Sequence, residues 1–178
     1  GLLATLVLRL RGLEVTTSST ALQALTDAVL YLVAYPFECA EQLSSRVLAV
    51  AALRDVLTAF RAEGLPKPDE IEEAVKRDID RLRALQDDDG GFGFWRRGER
   101  SWPYVSIHVA HALARAKAKG FAVPDDTLER SRRYLREIER HIPSEYGKEV
   151  RHALQAYALS VRGLLGDPDL AQARSLVR

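Results

Sequence analysis

The sequence predicts a mainly α-helical fold built from helical hairpins, with a short extended segment at its N-terminal end. Over most of the chain apolar residues recur at spacings of three and four, which is the period of a helix with one buried face. Proline and glycine interrupt this periodicity at intervals and so mark helix boundaries. Pro68 and Pro124 each stand just before a predicted helix, which indicates a repeat of one helix pair per unit.

The extended segment comes first. From Leu6 to Val15 apolar and charged residues partly alternate, which indicates a single strand that crosses Gly12. Residues 1–17 are therefore predicted as an extended lead-in, and residues 18–178 as one helical domain.

Seven helices are predicted after this segment, and their boundaries coincide with capping residues, glycines or prolines. The third shows the pattern best, because its apolar residues form one stripe from Ile71 to Leu85. The predicted helices run from the Ser18–Thr20 caps to about Ala34, from Glu41 to Gly64, Asp69 to Leu85, Val105 to Lys119, Asp126 to His141, Lys148 to Leu165, and from Asp169 onward.

Composition limits the classes of function. A chain of 178 residues with 47% hydrophobic content can bury roughly 70% of its unfolded surface in one core. The 26 basic and 25 acidic residues nearly cancel, which gives no electrostatic case for binding nucleic acid or a membrane surface. The apolar N-terminal stretch is interrupted by Arg9 and Arg11, so no direct membrane insertion is expected. The sequence has no methionine, and its last predicted helix ends without glycine, proline or a capping residue, so we expect it to be a piece of a longer protein.

The most informative motif contains the only cysteine, Cys39, which stands three residues before Gln42. Residues i and i+3 lie on one face of a helical turn with Cβ atoms about 5–6 Å apart, so the Cys39 sulfur can reach the Gln42 side-chain carbonyl. Attack there with loss of ammonia would form an internal thioester. Pro36 ends the preceding helix, so Cys39 and Glu41 fall at the start of the next one, where unpaired N–H groups and the helix dipole favour a thiolate. The alternative for a lone cysteine is a small buried apolar residue.

The segment from Leu13 through Ser45 resembles the thioester-containing domain of the alpha-2-macroglobulin family, above all its bacterial members. The family pattern is Cys-x-Glu-Gln after an aromatic residue and a proline. It is matched at Tyr35, Pro36, Cys39, Glu41 and Gln42. The family usually has glycine before the cysteine, whereas this chain has Glu38, which adds a negative charge and cannot adopt a positive φ cheaply.

The resemblance implies a protease-trapping inhibitor rather than an enzyme. A target protease would cut a bait segment of the parent protein, the thioester would become exposed, and an amine of the protease would attack it. Gln42 would supply the acyl carbon and Cys39 the leaving group, so the protease is attached covalently and no cofactor is needed. Neighbouring domains of the parent macroglobulin would be the other partners, in an exported, periplasmic setting. The candidates for keeping water from the bond are aromatic residues that ordinary core packing would also explain, namely Tyr35, Phe37, Trp102 and Tyr104.

A polar, glycine-rich turn from Gln86 to Trp95 separates the third and fourth predicted helices. Its Gln-x-x-x-Gly-x-aromatic pattern resembles turns of α/α toroids, in which helical hairpins circle an axis as alternating inner and outer layers. Seven helices would be about half of a twelve-helix (α/α)6 barrel.

Two alternative functions remain open. The run Asp87-Asp88-Asp89 could hold diphosphate-bound magnesium in a toroid enzyme of terpene-cyclase or prenyltransferase type, but aspartates before glycine are ordinary turn residues. A thioester adhesive or scaffold module without a bait would carry the same motif. His108 and His111 share a helix face without a third ligand nearby, so no metal site is predicted and we interpret both as packing or rim residues.

Overall fold

The computed structural model describes residues 6–10, 13–17, 31, 38–59 and 67–176. The chain divides into two compact units, Gly1–Tyr35 and Pro36–Arg178, which we describe separately.

The first unit contains a β-hairpin. Strands β1 (Leu6–Leu10) and β2 (Leu13–Thr17) pair antiparallel, with Leu10 opposite Leu13 and Leu6 opposite Thr17. The prediction of one strand crossing Gly12 is therefore wrong. Two residues, one of them glycine, separate the paired leucines, and two-residue connections containing glycine are typical of β-hairpins. The first predicted helix lies outside the described residues except for Tyr31, which is helical.

The second unit is helical throughout its described elements, which confirms the prediction of a mainly α fold. Its helices are α1 (Ala40–Ala59), α2 (Pro68–Leu85), α3 (Pro103–Ala118), α4 (Asp125–Arg136), α5 (Ile138–His141), α6 (Lys148–Leu164) and α7 (Leu170–Leu176). Among the helices described here, none combines the length and apolar character needed to cross a bilayer.

One predicted helix, from Asp126 to His141, is two helices in the structure. Glu137 leaves helical geometry with φ −103° and ψ 18°, and its N–H donates to the carbonyl of Tyr134, three residues back. The break allows the rings of Tyr134 and His141 to stack with centroids 3.9 Å apart. Residues seven apart in a straight helix would be separated by roughly 10 Å along the axis, so the aromatic contact requires the interruption.

The helices alternate between two layers. Helices α1, α3 and α6 pack side by side in one layer, while α2 packs on α1 and α4 packs on α3 and α6 in the other. Because α3 has neighbours on several sides, most of its residues are buried. Part of the core lies between α3, α4, α5 and α6 and comprises Ile107, Ala110, Tyr134, Leu135, Ile138, Ile142, Leu154, Ala158 and Val161. This alternation is the arrangement expected of toroid hairpins.

Buried polar bonds fix the turn between α2 and α3. Gln86 is fully buried, and its Nε2 lies 3.0 Å from the carbonyl oxygen of Gly90 and 3.1 Å from both the Thr127 carbonyl and the Ser131 Oγ of α4. A short antiparallel bridge joins Gln86 to the buried Phe92. Gln86 thus attaches the α2–α3 connection to α4, and its bond to the Gly90 carbonyl holds the turn together.

Candidate functional site

The Cys39–Gln42 pair lies at the first turn of α1. The carbonyl of Cys39 accepts the first helical hydrogen bond, from the N–H of Leu43 at 2.9 Å, which makes Cys39 the N-cap residue. The Gln42 side chain folds back, and its Oε1 accepts a hydrogen bond from the Cys39 backbone N–H at 3.3 Å. This is one half of a capping box, in which the third helical residue reaches back to the N-cap. The side-chain amide carbonyl of Gln42 is thereby held over Cys39.

A second hydrogen bond pairs a free N–H group at the N-terminus of α1 with an acceptor outside the helix. The N–H of Ala40 donates to the carbonyl oxygen of Phe94 at 2.7 Å, so the turn between α2 and α3 lies against the motif. Cys39 and Ala40 are buried, whereas Glu41 and Gln42 are half-buried and Glu38 is exposed. The motif therefore has a covered cysteine beside a partly accessible glutamine.

Of the four aromatic residues that are candidates for excluding water from the motif, two lie within the described residues. Tyr35 and Phe37 lie outside the described residues. Trp102 is 40% exposed and packs edge-on against Phe94, while Tyr104 is 52% exposed and stacks on the ring of His108. Both described residues thus contact neighbours of the motif.

A line of hydrogen bonds connects the motif to α3 and α6. Ser45 Oγ donates to Glu41 Oε1 at 2.8 Å and lies 2.8 Å from Nε2 of His108. The other ring nitrogen of His108, Nδ1, lies 3.3 Å from the Tyr157 hydroxyl, which is 2.9 Å from Nδ1 of His111. We refer to Glu41, Ser45, His108, Tyr157 and His111 as the His108 network.

Burial sets the protonation states in this network. Loss of solvent lowers the pKa of His108 and outweighs the opposing effect of the nearby Glu41 carboxylate. Burial also lowers the pKa of His111, with further lowering from His108 and Arg115. The pKa of the Tyr157 hydroxyl is raised, first by burial. At neutral pH the two imidazoles and the phenol are therefore uncharged.

An ion pair anchors α1 immediately after Ser45. Arg46 Nε lies 2.6 Å from Asp78 Oδ2, and Arg46 Nη2 lies 2.7 Å from Asp78 Oδ1 on α2. The two side chains are only 7% and 3% exposed. The Asp78 carboxylate raises the pKa of Arg46, chiefly by hydrogen bonding. This pair fixes the motif helix against its outer-layer neighbour.

Sequence reasoning missed three contributors to the site. The sequence pattern marks Ser45 only as a residue beside the motif, and it does not assign Tyr157 or Phe94 to the site. Ser45 stands four residues after Glu41, and residues i and i+4 meet on a helix, so this spacing is the one local signal that could have identified it. The contacts of Tyr157 and Phe94 with the motif region depend on how distant segments pack.

The side chains of the run Asp87-Asp88-Asp89 form hydrogen bonds and an ion pair within the turn between α2 and α3. Asp87 Oδ1 accepts the N–H of Gly98 at 2.6 Å, and Asp89 Oδ1 accepts the N–H of Gly91 at 2.8 Å. In the part of the chain that the structure describes, no group of three His, Cys, Asp or Glu side chains could hold a metal ion. Asp88, between them, is exposed and pairs with the Arg97 side chain. The carboxylates on which the isoprenoid alternative depended thus bind groups of the turn itself.

Comparison with known proteins matches no family model. Individual proteins do match: the alpha-2-macroglobulin of Escherichia coli K12 is 32% identical over 139 residues, which cover 73% of this chain. The chain belongs to the alpha-2-macroglobulin family. It spans only 8% of the length of that relative, and about the same share of a Yersinia pestis homologue that is 25% identical over 168 residues.

Solved structures of this family have the same fold as the chain. Salmonella alpha-2-macroglobulin reacted with methylamine aligns with a TM-score of 0.72 and 25% identity, over 85% of this chain and 10% of that one. Trypsin-activated alpha-2-macroglobulin from Escherichia coli aligns with a TM-score of 0.65 and 26% identity, over 80% of this chain and 10% of that one. The bacterial family resemblance inferred from the motif is thus confirmed.

Proposed function

We propose that this chain is the thioester-bearing part of a protease-trapping inhibitor of the alpha-2-macroglobulin type. The observation that carries the proposal is the hydrogen bond between the Cys39 N–H and Gln42 Oε1, because it holds the acyl group of Gln42 beside the cysteine. The family membership supports the same reading. Two solved relatives also support it, one reacted with methylamine and the other activated by trypsin.

The chemistry begins with attack of the Cys39 sulfur on Cδ of Gln42. Addition places negative charge on Oε1, and the Cys39 N–H already donates to that oxygen at 3.3 Å. A backbone donor aimed at a developing oxyanion lowers the barrier to acyl transfer. The proton given up by the Cys39 thiol passes to Nε2, which leaves as ammonia, and the thioester carbonyl retains Oε1.

The stored bond is used once. An amine of the trapped protease attacks the same carbon, the C–S bond breaks, and Cys39 leaves as a thiolate while an amide joins Gln42 to the protease. No cofactor is required and the protein does not turn over, so it acts as an inhibitor rather than an enzyme. The proposal includes cleavage of a bait segment, shielding by neighbouring domains, and an exported, periplasmic setting.

The test is the intact mass of a native protein that carries this chain, measured before and after methylamine. We expect a mass lower by one ammonia than the sequence requires, uptake of methylamine at Gln42, and release of a titratable Cys39 thiol. A Cys39→Ser variant is the control and should show neither the deficit nor the uptake. A native protein with the full mass and a free thiol before treatment would refute the thioester. For residues 1–178 alone we expect a free thiol, because no neighbouring domain excludes water.

A further inference from the structure

The His108 network ends at the carboxylate that lies between the two thioester residues in sequence. Ser45 has one hydroxyl proton and donates it to Glu41 Oε1, so the 2.8 Å bond to His108 requires Nε2 of the imidazole as donor. The neutral ring then has an unprotonated Nδ1, which accepts the hydroxyl proton of Tyr157. The phenol oxygen in turn accepts Nδ1–H of His111 at 2.9 Å. All four hydrogen bonds thus have their donors directed towards Glu41.

This arrangement fixes a carboxylate in one orientation. Ser45 and Glu41 are on α1, His108 is on α3 and Tyr157 is on α6, so three neighbouring helices of one layer contribute. His108 is buried, and the ring of Tyr104 stacks on it at 5.8 Å with an interplanar angle of 6°. Glu41 itself is half-buried and keeps a solvent-facing part. Such a group can accept a proton from a reactant while its other oxygen stays hydrogen-bonded.

We propose that Glu41 is the proton acceptor for the amine that opens the thioester, and that Ser45, His108 and Tyr157 are positioning residues that hold it. This inference rests on the proposed thioester function. As the amine nitrogen forms its bond to Cδ of Gln42, one N–H proton passes to the Glu41 carboxylate. The C–S bond breaks with its electron pair on sulfur, and Glu41 returns the proton to the Cys39 thiolate. The products are an amide and a thiol, and Glu41 is regenerated.

The test measures the rate of methylamine incorporation at Gln42 as a function of pH, in a native protein that carries this chain and whose mass deficit has been verified. Rates are divided by the concentration of unprotonated amine. In the wild-type protein we expect this corrected rate to fall in acid, because a general base must be unprotonated to act. In Glu41→Gln it should be lower by about 10²-fold or more and should not change with pH.

Substitutions of Ser45 separate positioning from general stability. Ser45→Ala removes the link between His108 and Glu41, and we expect it to lower the corrected rate several-fold, whereas Ser45→Thr keeps the hydroxyl and should restore most of it. His108→Gln should slow the reaction as Ser45→Ala does. His152, exposed on the same helix as Tyr157, supplies the matched control His152→Gln, with wild-type rate and pH profile.

The outcomes are distinguishable. A wild-type protein without the mass deficit would refute the thioester and this proposal together. A Glu41→Gln protein with an intact thioester and the wild-type corrected rate would refute the role of Glu41 while leaving the thioester standing. If Ser45→Ala and His108→Gln lower only the melting temperature, with the rate and pH profile unchanged, the network is a structural link between helices and the positioning role is wrong.

Discussion

Removing the charge of Asp78 should destabilise the chain severely, although Asp78 is remote from the motif in sequence. Asp78→Asn leaves the guanidinium of Arg46 buried without the carboxylate that binds it through two short hydrogen bonds. Breaking one side of a buried ion pair costs about 3–5 kcal/mol. Side-chain exposures of 7% and 3% place this pair firmly in the buried class, so we expect a loss within that range.

The opposite substitution should cost less. In Arg46→Met the carboxylate of Asp78 keeps a second cation nearby, because Nε of the exposed Arg77 lies 3.8 Å from its Oδ1. Replacing both partners together, as in Arg46→Met with Asp78→Leu, removes the two buried charges, and such replacements are often neutral or stabilising. The double variant should therefore be more stable than Asp78→Asn alone.

Urea unfolding followed by circular dichroism measures these free energies. The matched control is Asp80→Asn on the same helix, which breaks an exposed pair with Lys76 at 2.9 Å and should cost about 0.3–0.5 kcal/mol. A loss below about 1 kcal/mol for Asp78→Asn would contradict the reasoning, since it would mean that the pair is solvated in the folded protein.

Two further predictions concern the α2–α3 turn and acid stability. Gly90→Ala should destabilise the chain by several kcal/mol in the same urea assay, because its φ is +88° and a Cβ would lie 2.3 Å from the Arg130 carbonyl oxygen. Gly98→Ala, at φ +87° with open space around it, should cost only about 1–2 kcal/mol, and equal losses for the two would contradict the steric argument. Burial lowers the pKa of His108, so as the pH falls the unfolded chain takes up a proton at this residue before the folded chain does. The stability that the neutral His108 side chain contributes is therefore complete above about pH 6.5 and is lost as the pH falls towards the folded-state pKa. The urea midpoint should drop between pH 7.5 and 5.5, by less in His108→Gln, and an identical drop would contradict the assignment.

The sequence predicted most helices of the second unit because their signals are local. The stripe from Ile71 to Leu85, and the prolines that mark the starts of α2 and α4, Pro68 and Pro124, each involve residues within a few turns of one another. The hydrogen bond from the Cys39 N–H to Gln42 Oε1 is local as well, since a side chain at the third helical position can reach back to the N-cap residue. The pairing of β1 with β2 and the break at Glu137 are not predicted, because the apolar alternation and the helical periodicity hardly change across them.

The His108 network could not have been derived from spacing. Ser45 and His108 are 63 residues apart, and His108 and Tyr157 are 49 residues apart, so both bonds depend on the packing of α1, α3 and α6 in one layer. From the sequence, His108 is predicted to be a packing or rim residue. It is buried, as a packing residue would be, but its ring nitrogens also bond to the motif helix and to α6, which no local pattern indicates.

The hydrogen bond from Ala40 to the Phe94 carbonyl joins the α2–α3 connection to the residue that follows the buried cysteine. This backbone amide cannot exchange its hydrogen for deuterium while that connection stays docked. Its exchange rate therefore reports how often the α2–α3 connection separates from the first turn of α1. Any event that pulls the Phe94 segment away from α1, even by a force applied far from the motif, must break this hydrogen bond, and in the proposed function it would act directly on the turn that carries the thioester.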